Sequence, residues 1–345
     1  MKRVVVLIIC LLLFGCNEAK EVPTLDTNYN FNYNDKYYHV YTPYKAGVGE
    51  NYFLTDSFNS YNVNEIERGL LDLSSEHFSV DGYYYQEGQH LKRKDLESLL
   101  SKDNLNSAAP LSVDGTTIQP TYIVGIYEEN FLDDSGKIKG MSIGLALNRH
   151  QVYRNGNGVL AYYTVSEEVV IAHAKAKSDD LISFIRKNEE LKNIDILVGI
   201  YIESSPNSTV PGNYKQYGIT NSDKIDWQPI NQSKFYLNSS QAKQMDLESY
   251  NNYQIMESKI KNSLPNLYIA GMGYYQSEKL VRAEIRITRS FYRYGELLYL
   301  TNVVSENIIK YLDNVDVTVE FRENNDVKAY ILKSKGKQST DIFVY

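Results

Sequence analysis

Apolar positions along the chain fall into distinct periods, and the periods change abruptly enough to mark elements. Ile66, Leu70 and Leu73 recur at helical spacing behind Asn64-Glu65-Ile66-Glu67. That start offers an N-cap oxygen and a Glu at the third position reaching back, so the first helix is expected to begin at Asn64 and to close at His77 and Phe78. Leu96, Leu99 and Leu100 mark a short second helix before the Asn- and Ser-rich stretch 103–107. Residues 122–127 and 138–147 read as a hairpin around Asp133-Asp134-Ser135-Gly136, a turn in which glycine supplies the positive φ. Residues 166–191 read as a helix with Val170, Ala174, Leu181 and Ile185 on one face, followed by a buried strand over 196–202.

The same order then recurs. Met256, Ile260 and Leu264 form a helix face, and 267–275 with 280–288 form a second hairpin in which Val281, Ala283, Ile285 and Ile287 alternate with Arg282, Glu284, Arg286 and Thr288. Strict alternation means one wet face. Leu297, Leu300, Val304, Ile308 and Tyr311 give the next helix, and Val315, Val317, Val319 and Phe321 the strand after it, turned by 323–326 into a last strand over 327–332. Element order rather than residue identity carries this repeat. The expected fold is α+β: two similar units, a duplication, each a mainly antiparallel sheet covered by helices on one face. The Pro-, Ser- and Asn-rich stretch 204–245 reads as their connection.

The N-terminal end follows another logic. Lys2 and Arg3 precede an apolar run over 4–14 that Asn17, Glu18 and Lys20 terminate. The run falls short of the roughly 20 apolar residues needed to span a bilayer and fits a secretory signal peptide. Gly15-Cys16 at its end resembles the lipobox of bacterial lipoproteins, although Phe14 stands where a small residue is usual. That resemblance implies a diacylglycerol on Cys16, cleavage by signal peptidase II, and attachment to the extracellular face of the cell membrane. The expected division is a leader over 1–15, a tether over 16–44, a first unit with its connecting segment over 45–235, and a second unit over 236–345.

Composition narrows the partners. A net charge of -7 argues against nucleic acid and against adhesion to anionic surfaces. Only Cys10 and Cys16 occur, one in the leader and one at the lipidation position, so the body has no cysteine chemistry. His39, His77, His90, His150 and His173 lack any zinc spacing, and no metal or cofactor is expected beyond the attached lipid. Gly140-Met141-Ser142-Ile143-Gly144 matches the G-x-S-x-G of a hydrolase nucleophile elbow, but Leu145, Ala146 and Leu147 continue a strand where an elbow needs a helix. Ser142 is therefore expected to be structural, and no catalytic residue is assigned. Tyrosine is abundant, at 31 residues, with clusters at 83–85, 162–163 and 274–275. These rings suit half-buried sheet faces and also suit stacking on sugars. Gln86-Glu87-Gly88 and Pro211-Gly212-Asn213-Tyr214 mix turn residues with polar groups that local structure does not require, so these seven form the candidate binding site. They are expected to meet at the junction of the two units.

Those segments also carry a family likeness. Tyr41-Thr42-Pro43-Tyr44-Lys45, Tyr84-Tyr85-Gln86-Glu87-Gly88-Gln89, 140–148 and Val210-Pro211-Gly212-Asn213-Tyr214 resemble the CamS family of Gram-positive lipoproteins, the sex pheromone precursors. The resemblance implies a duplicated α+β body. It also implies a leader whose end, here Ile9-Cys10-Leu11-Leu12-Leu13-Phe14-Gly15, is the counterpart of a released pheromone peptide sensed by plasmid-bearing enterococci. It supplies no catalytic or cofactor residues. The expected role is a membrane-anchored, non-enzymatic binding module for a cell-wall or protein ligand; the alternative is a wall hydrolase or wall-modifying enzyme, recognisable by perturbed acids or a nucleophile-base pair in one cleft.

Overall fold

The computed structural model describes residues 37–49, 63–206, 208–222, 224–291 and 293–345, so Cys16, the leader and most of the expected tether lie outside the described residues. Seven strands form a first sheet whose spatial order is also chain order: β1 (His39–Val40), β2 (Tyr84–Glu87), β3 (Ile123–Leu132), β4 (Ile138–Leu147), β5 (Asp195–Ile202), β6 (Asn213–Thr220) and β7 (Asp226–Pro229). Six more form a second sheet, again in chain order: β8 (Gln232–Tyr236), β9 (Tyr268–Gln276), β10 (Lys279–Thr288), β11 (Asp316–Glu323), β12 (Asp326–Lys333) and β13 (Asp341–Val344). Parallel pairing is confined to β1–β2 and β4–β5 in the first sheet and β10–β11 in the second. With six α-helices among the described residues, the class is mixed α+β.

Helices α1 (Val63–Ser75), α2 (Arg93–Leu99) and α3 (Glu167–Ile185) accompany the first sheet, and α4 (Ser240–Met245), α5 (Leu247–Ser263) and α6 (Tyr294–Tyr311) the second. Parallel neighbours need a long crossover, which α3 provides between β4 and β5 and α6 between β10 and β11. Aligning the first rungs of the two parallel ladders, Gly140↔Asp195 and Arg282↔Asp316, brings the sheets into one frame. The helix-facing positions then match in character: Met141, Ile143 and Leu145 against Ala283, Ile285 and Ile287, all buried. The opposite faces do not match. Gly140, Ser142 and Gly144 stand where the second sheet has Arg282, Glu284 and Arg286.

That difference decides the covering of each sheet. The second sheet carries helices on one face, where Met256, Ile260, Leu300 and Val304 pack on its apolar side. The first is covered on both faces, which departs from the one-sided expectation: α2 and α3 pack on one side, and Ile66, Leu70 and Leu73 of α1 bury on the other. The small residues of β4 and β5 make the second layer possible. A Cβ on Gly140 would lie 2.2 Å from the Phe78 ring, and one on Gly199 would lie 2.7 Å from the ring of Tyr214. The Tyr214 ring is also within 2.9 Å of the Cβ position of Gly69 on α1, and its hydroxyl donates to the Ile66 carbonyl at 2.9 Å. Tyr214 thus fills the space between helix and sheet that the glycines leave.

Four further expectations change. The tether does not extend to Tyr44: His39 and Val40 pair with Tyr84 and Tyr85, and Tyr38 packs on Phe131 at 5.2 Å between ring centroids. The stretch 204–245 is not a plain connection, because it supplies β6, β7, β8 and α4; β7 and β8 lie at sheet edges, where a weak apolar alternation suffices, and β6 lies one strand in. β8, cut by the expected boundary at 235/236, pairs along its whole length with β9, so the chain crosses between sheets at 230–231. Helix α3 stops at Ile185 rather than 191, because Asn188 accepts from Glu190 N and starts a separate 3-10 turn over Glu189–Leu191.

Tyr214→Ala should cost about 3–5 kcal/mol, the usual penalty for emptying a buried aromatic site, whereas Tyr214→Phe should cost about 1 kcal/mol for the lost hydrogen bond. Urea unfolding of the variants checks both; equal losses would refute the packing role of the ring.

Candidate functional site

The two candidate motifs separate in space. Across the first sheet Glu87 pairs with Glu129, Glu129 with Ser142, Ser142 with Leu197, and Leu197 with Ile219. Gln86, Glu87 and Gly88 therefore lie four strand spacings, roughly 19 Å, from β6, and Pro211 to Tyr214 lie at its far end from Ile219. The motifs do not meet, which corrects the expectation. Strand pairing across the sheet, invisible to local pattern, sets this distance.

Gln86-Glu87-Gly88 instead ties down the incoming chain. Glu87 accepts from the Tyr44 hydroxyl at 2.5 Å and from Gly47 N at 2.7 Å, and the Gly88 carbonyl accepts from Val48 N at 2.8 Å. Just beyond, the buried Glu128 carboxylate accepts from the backbone N–H of Gln89, His90 and Leu91. Gln86 is itself buried.

Pro211, Gly212 and Asn213 line a cleft of about 690 Å³ between the sheets, with Phe235 and Tyr236 of β8 on its other side. Gly212 is required there by close approach, since its Cβ would fall 2.1 Å from the Ile202 carbonyl oxygen. Ser204, Ser205, Ser208, Thr209, Ser239 and Gln241 give the walls hydroxyl and amide groups. Their charges are internally matched: Glu167 lies 3.0 Å from Arg149 and 3.6 Å from Lys215. Burial and the neighbouring Arg149 hold the His150 imidazole below its ordinary pKa, so it is mostly neutral at pH 7.

Beside the cleft, α1 meets the second sheet through charges that no local pattern announced. Glu65 binds Lys234 at 2.5 Å and Arg68 at 2.9 Å, and Arg68 approaches Glu284 at 3.7 Å. Tyr274 sits among them, donating to Glu284 at 2.9 Å, with the Arg282 guanidinium 3.9 Å above its ring. Burial pushes the Glu65 carboxyl up, but Lys234, Arg68 and Arg282 outweigh it and the group stays below its ordinary pKa. Burial, with Glu284 and Glu65 nearby, raises the Tyr274 phenol to about 12.

Ser142 is a strand residue. It is fully buried beneath α1, with the Ser74 hydroxyl at 2.7 Å, and the glycines at 140 and 144 serve close packing rather than an elbow. Asp133 organises the hairpin turn, accepting from Ser135 N and Lys137 N at 3.0 Å each, which with the Ser135 hydroxyl holds its carboxyl at about 2. Glu129 is an acid fully buried next to Ser74 and Ser142. Burial, reinforced by Glu67, pushes its carboxyl well above the usual range. It lies in the interior under α1 and does not line the cleft. Among the described residues no three His, Cys, Asp or Glu side chains converge as a metal site, and no helix is long and apolar enough to cross a membrane.

This geometry defines a two-sheet α+β body with a polar cleft between its sheets, and the comparisons agree on the class. A family model described as CamS sex pheromone cAM373 precursor matches residues 44–339, and the chain belongs to that family. The structure of the C-terminal domain of the sex pheromone staph-cAM373 precursor from Staphylococcus aureus is similar at 27% identity and a TM-score of 0.72, over 84% of this chain and 98% of that one. The sex pheromone precursor of Lactobacillus salivarius subsp. salivarius UCC118 shares the fold at 21% identity and a TM-score of 0.81, over 90% and 97% of the two chains. A search of the curated proteins finds no match.

Glu129 makes stability pH-dependent. Its folded pKa is raised, so its contribution is complete below the unfolded value near 4.5 and is lost as pH climbs from there through the folded value. Glu129→Gln should remove that loss, leaving a variant whose unfolding free energy falls less steeply above pH 5, by up to about 1.4 kcal/mol per pH unit. Denaturant titrations at pH 5, 7 and 9 check this; parallel pH profiles would refute it.

Proposed function

We propose that this chain is a surface lipoprotein held on the extracellular face of the cell membrane by a diacylglycerol on Cys16. In this reading signal peptidase II frees a leader ending in Ile9-Cys10-Leu11-Leu12-Leu13-Phe14-Gly15, the segment that corresponds to the pheromone peptide of the family. The order of basic start, short apolar run and Cys supports the anchor. The body, two copies of one unit on this reading, acts as a binding module. Identical succession of pairing senses from β2 to β7 and from β8 to β13 supports the duplication.

The observation that carries the binding role is the cleft between the sheets, large enough for a small ligand and lined by hydroxyl, amide and aromatic groups. Pro211, Gly212 and Asn213 belong to that site; Gln86, Glu87 and Gly88 do not, being occupied with the N-terminal arm. Tyr214 supports the site from below as a packing residue.

Mass spectrometry of the mature protein should find Cys16 as a diacylglyceryl-modified first residue, and Cys16→Ala should release the protein or leave an uncleaved precursor. An unmodified Cys16 or a start elsewhere overturns the anchor. For the body, hydrogen exchange of the mature chain with isolated cell walls should slow at 203–213 and 235–241. Protection confined to other segments overturns the cleft as the binding site.

A further inference from the structure

The outer face of the second sheet has the position that α1 occupies on the first, yet its residues cannot accept a helix. Arg286, Glu320 and Tyr330 stand side by side on adjacent strands, and the next row runs Tyr236, Met272, Glu284 and Thr318. These residues enclose a shallow groove of about 370 Å³, and Tyr236 also lines the inter-sheet cleft, so the two spaces adjoin. Tyr236 and Tyr330 lie on β8 and β12, four strand spacings or about 19 Å apart.

The groups between them are already fixed. Glu320 accepts from the Tyr330 hydroxyl at 2.8 Å and from Arg286 Nε at 3.0 Å, and pairs with Arg322 at 2.8 Å. Arg286 is nevertheless 60% exposed, so its guanidinium is held in place with donor edges in solvent. A dry protein partner would have to strip water from these charges at a cost that their pairing does not recover. An anionic ligand would meet Glu284 and Glu320, and a cationic one Arg286 and Arg322. An uncharged chain of hydroxyl-bearing rings meets neither penalty. Its hydroxyls replace water on Arg286 and Glu284, and its C–H faces suit the negative π faces of the two tyrosines.

On the binding-module reading given above, we propose that the face from Tyr236 to Tyr330 binds an uncharged polysaccharide backbone, the N-acetylhexosamine rings of the cell-wall glycan strand where its lactyl carboxyls are held as amides, laid across the strands. Tyr236 and Tyr330 are its stacking platforms and Arg286 its hydrogen-bonding anchor.

Calorimetric titration of the mature chain with hexamers of N-acetylglucosamine and of glucose tests this, the pair separating acetamido-bearing wall glycan from uncharged glucan in general. The N-acetylglucosamine hexamer should bind. Tyr236→Ala, Tyr330→Ala and Arg286→Gln should each weaken it about tenfold, and Tyr330→Phe, which keeps the ring, by no more than about threefold. Unchanged thermal melting would show that the variants fold. Binding that is indifferent to all three losses overturns the assignment of this face, and preference for the glucose hexamer overturns the wall glycan as its source. Failure of both hexamers overturns the ligand class; slowed exchange at the cleft on isolated walls would then leave the binding-module reading standing alone.

Discussion

The close seat of α1 on the first sheet is the contact from which the rest of the molecule takes its arrangement. It exists because β4 presents almost no side-chain bulk on that face, at Gly140, Ser142 and Gly144, and β5 adds Gly199 between Leu197 and Tyr201, so the rings of Phe78 and Tyr214 reach the strand backbone. With α1 at that height, Glu65 and Arg68 reach Lys234, Tyr274 and Glu284 of the second sheet. The junction beside the cleft is therefore set by packing in the interior of the first unit. Close packing of this kind resists any added methyl, because surrounding atoms have nowhere to relax.

Placed in one register, the two sheets share their apolar faces and differ in the opposite ones. Where the first has glycine and serine beneath a helix, the second has arginine and glutamate open to water. Burying those charges under a helix would be expensive, and leaving the glycine face bare would expose backbone and apolar rings. Each face is consistent with its own surroundings, and the outcome is one closed unit and one unit with a polar open surface. The charges on that surface neutralise each other within short range: Glu320, held by Arg322, Tyr330 and Arg286, keeps its carboxyl at about 2.

Polar groups in the closed unit follow the opposite rule. Glu129 is buried next to hydroxyls rather than cations, and so favours the neutral form, whereas Glu65, part-buried and facing Lys234, Arg68 and Arg282, favours the charged one. A glutamate beneath α1 and one on it thus carry different charge because only the second faces cations.

Local pattern was enough to establish the helices around Leu70, Ala174 and Val304, the two hairpins, the strand status of Ser142 and the wet alternation of Arg282, Glu284 and Arg286, because period and turn chemistry act within a few residues. What covers each face was not legible, since alternation says that two sides differ and not what packs on them. The edge strands within 204–245 were missed for the related reason that edges need little apolar signal. Gln86, Glu87 and Gly88 looked free because their partners, Tyr44, Gly47 and Val48, lie about 40 residues away. Glu65 and Lys234, 169 residues apart, carried no mark of their pairing. Those contacts arise only when strand order brings distant segments together, and that order, fixed by burial over the whole chain, is what the tertiary structure alone decided.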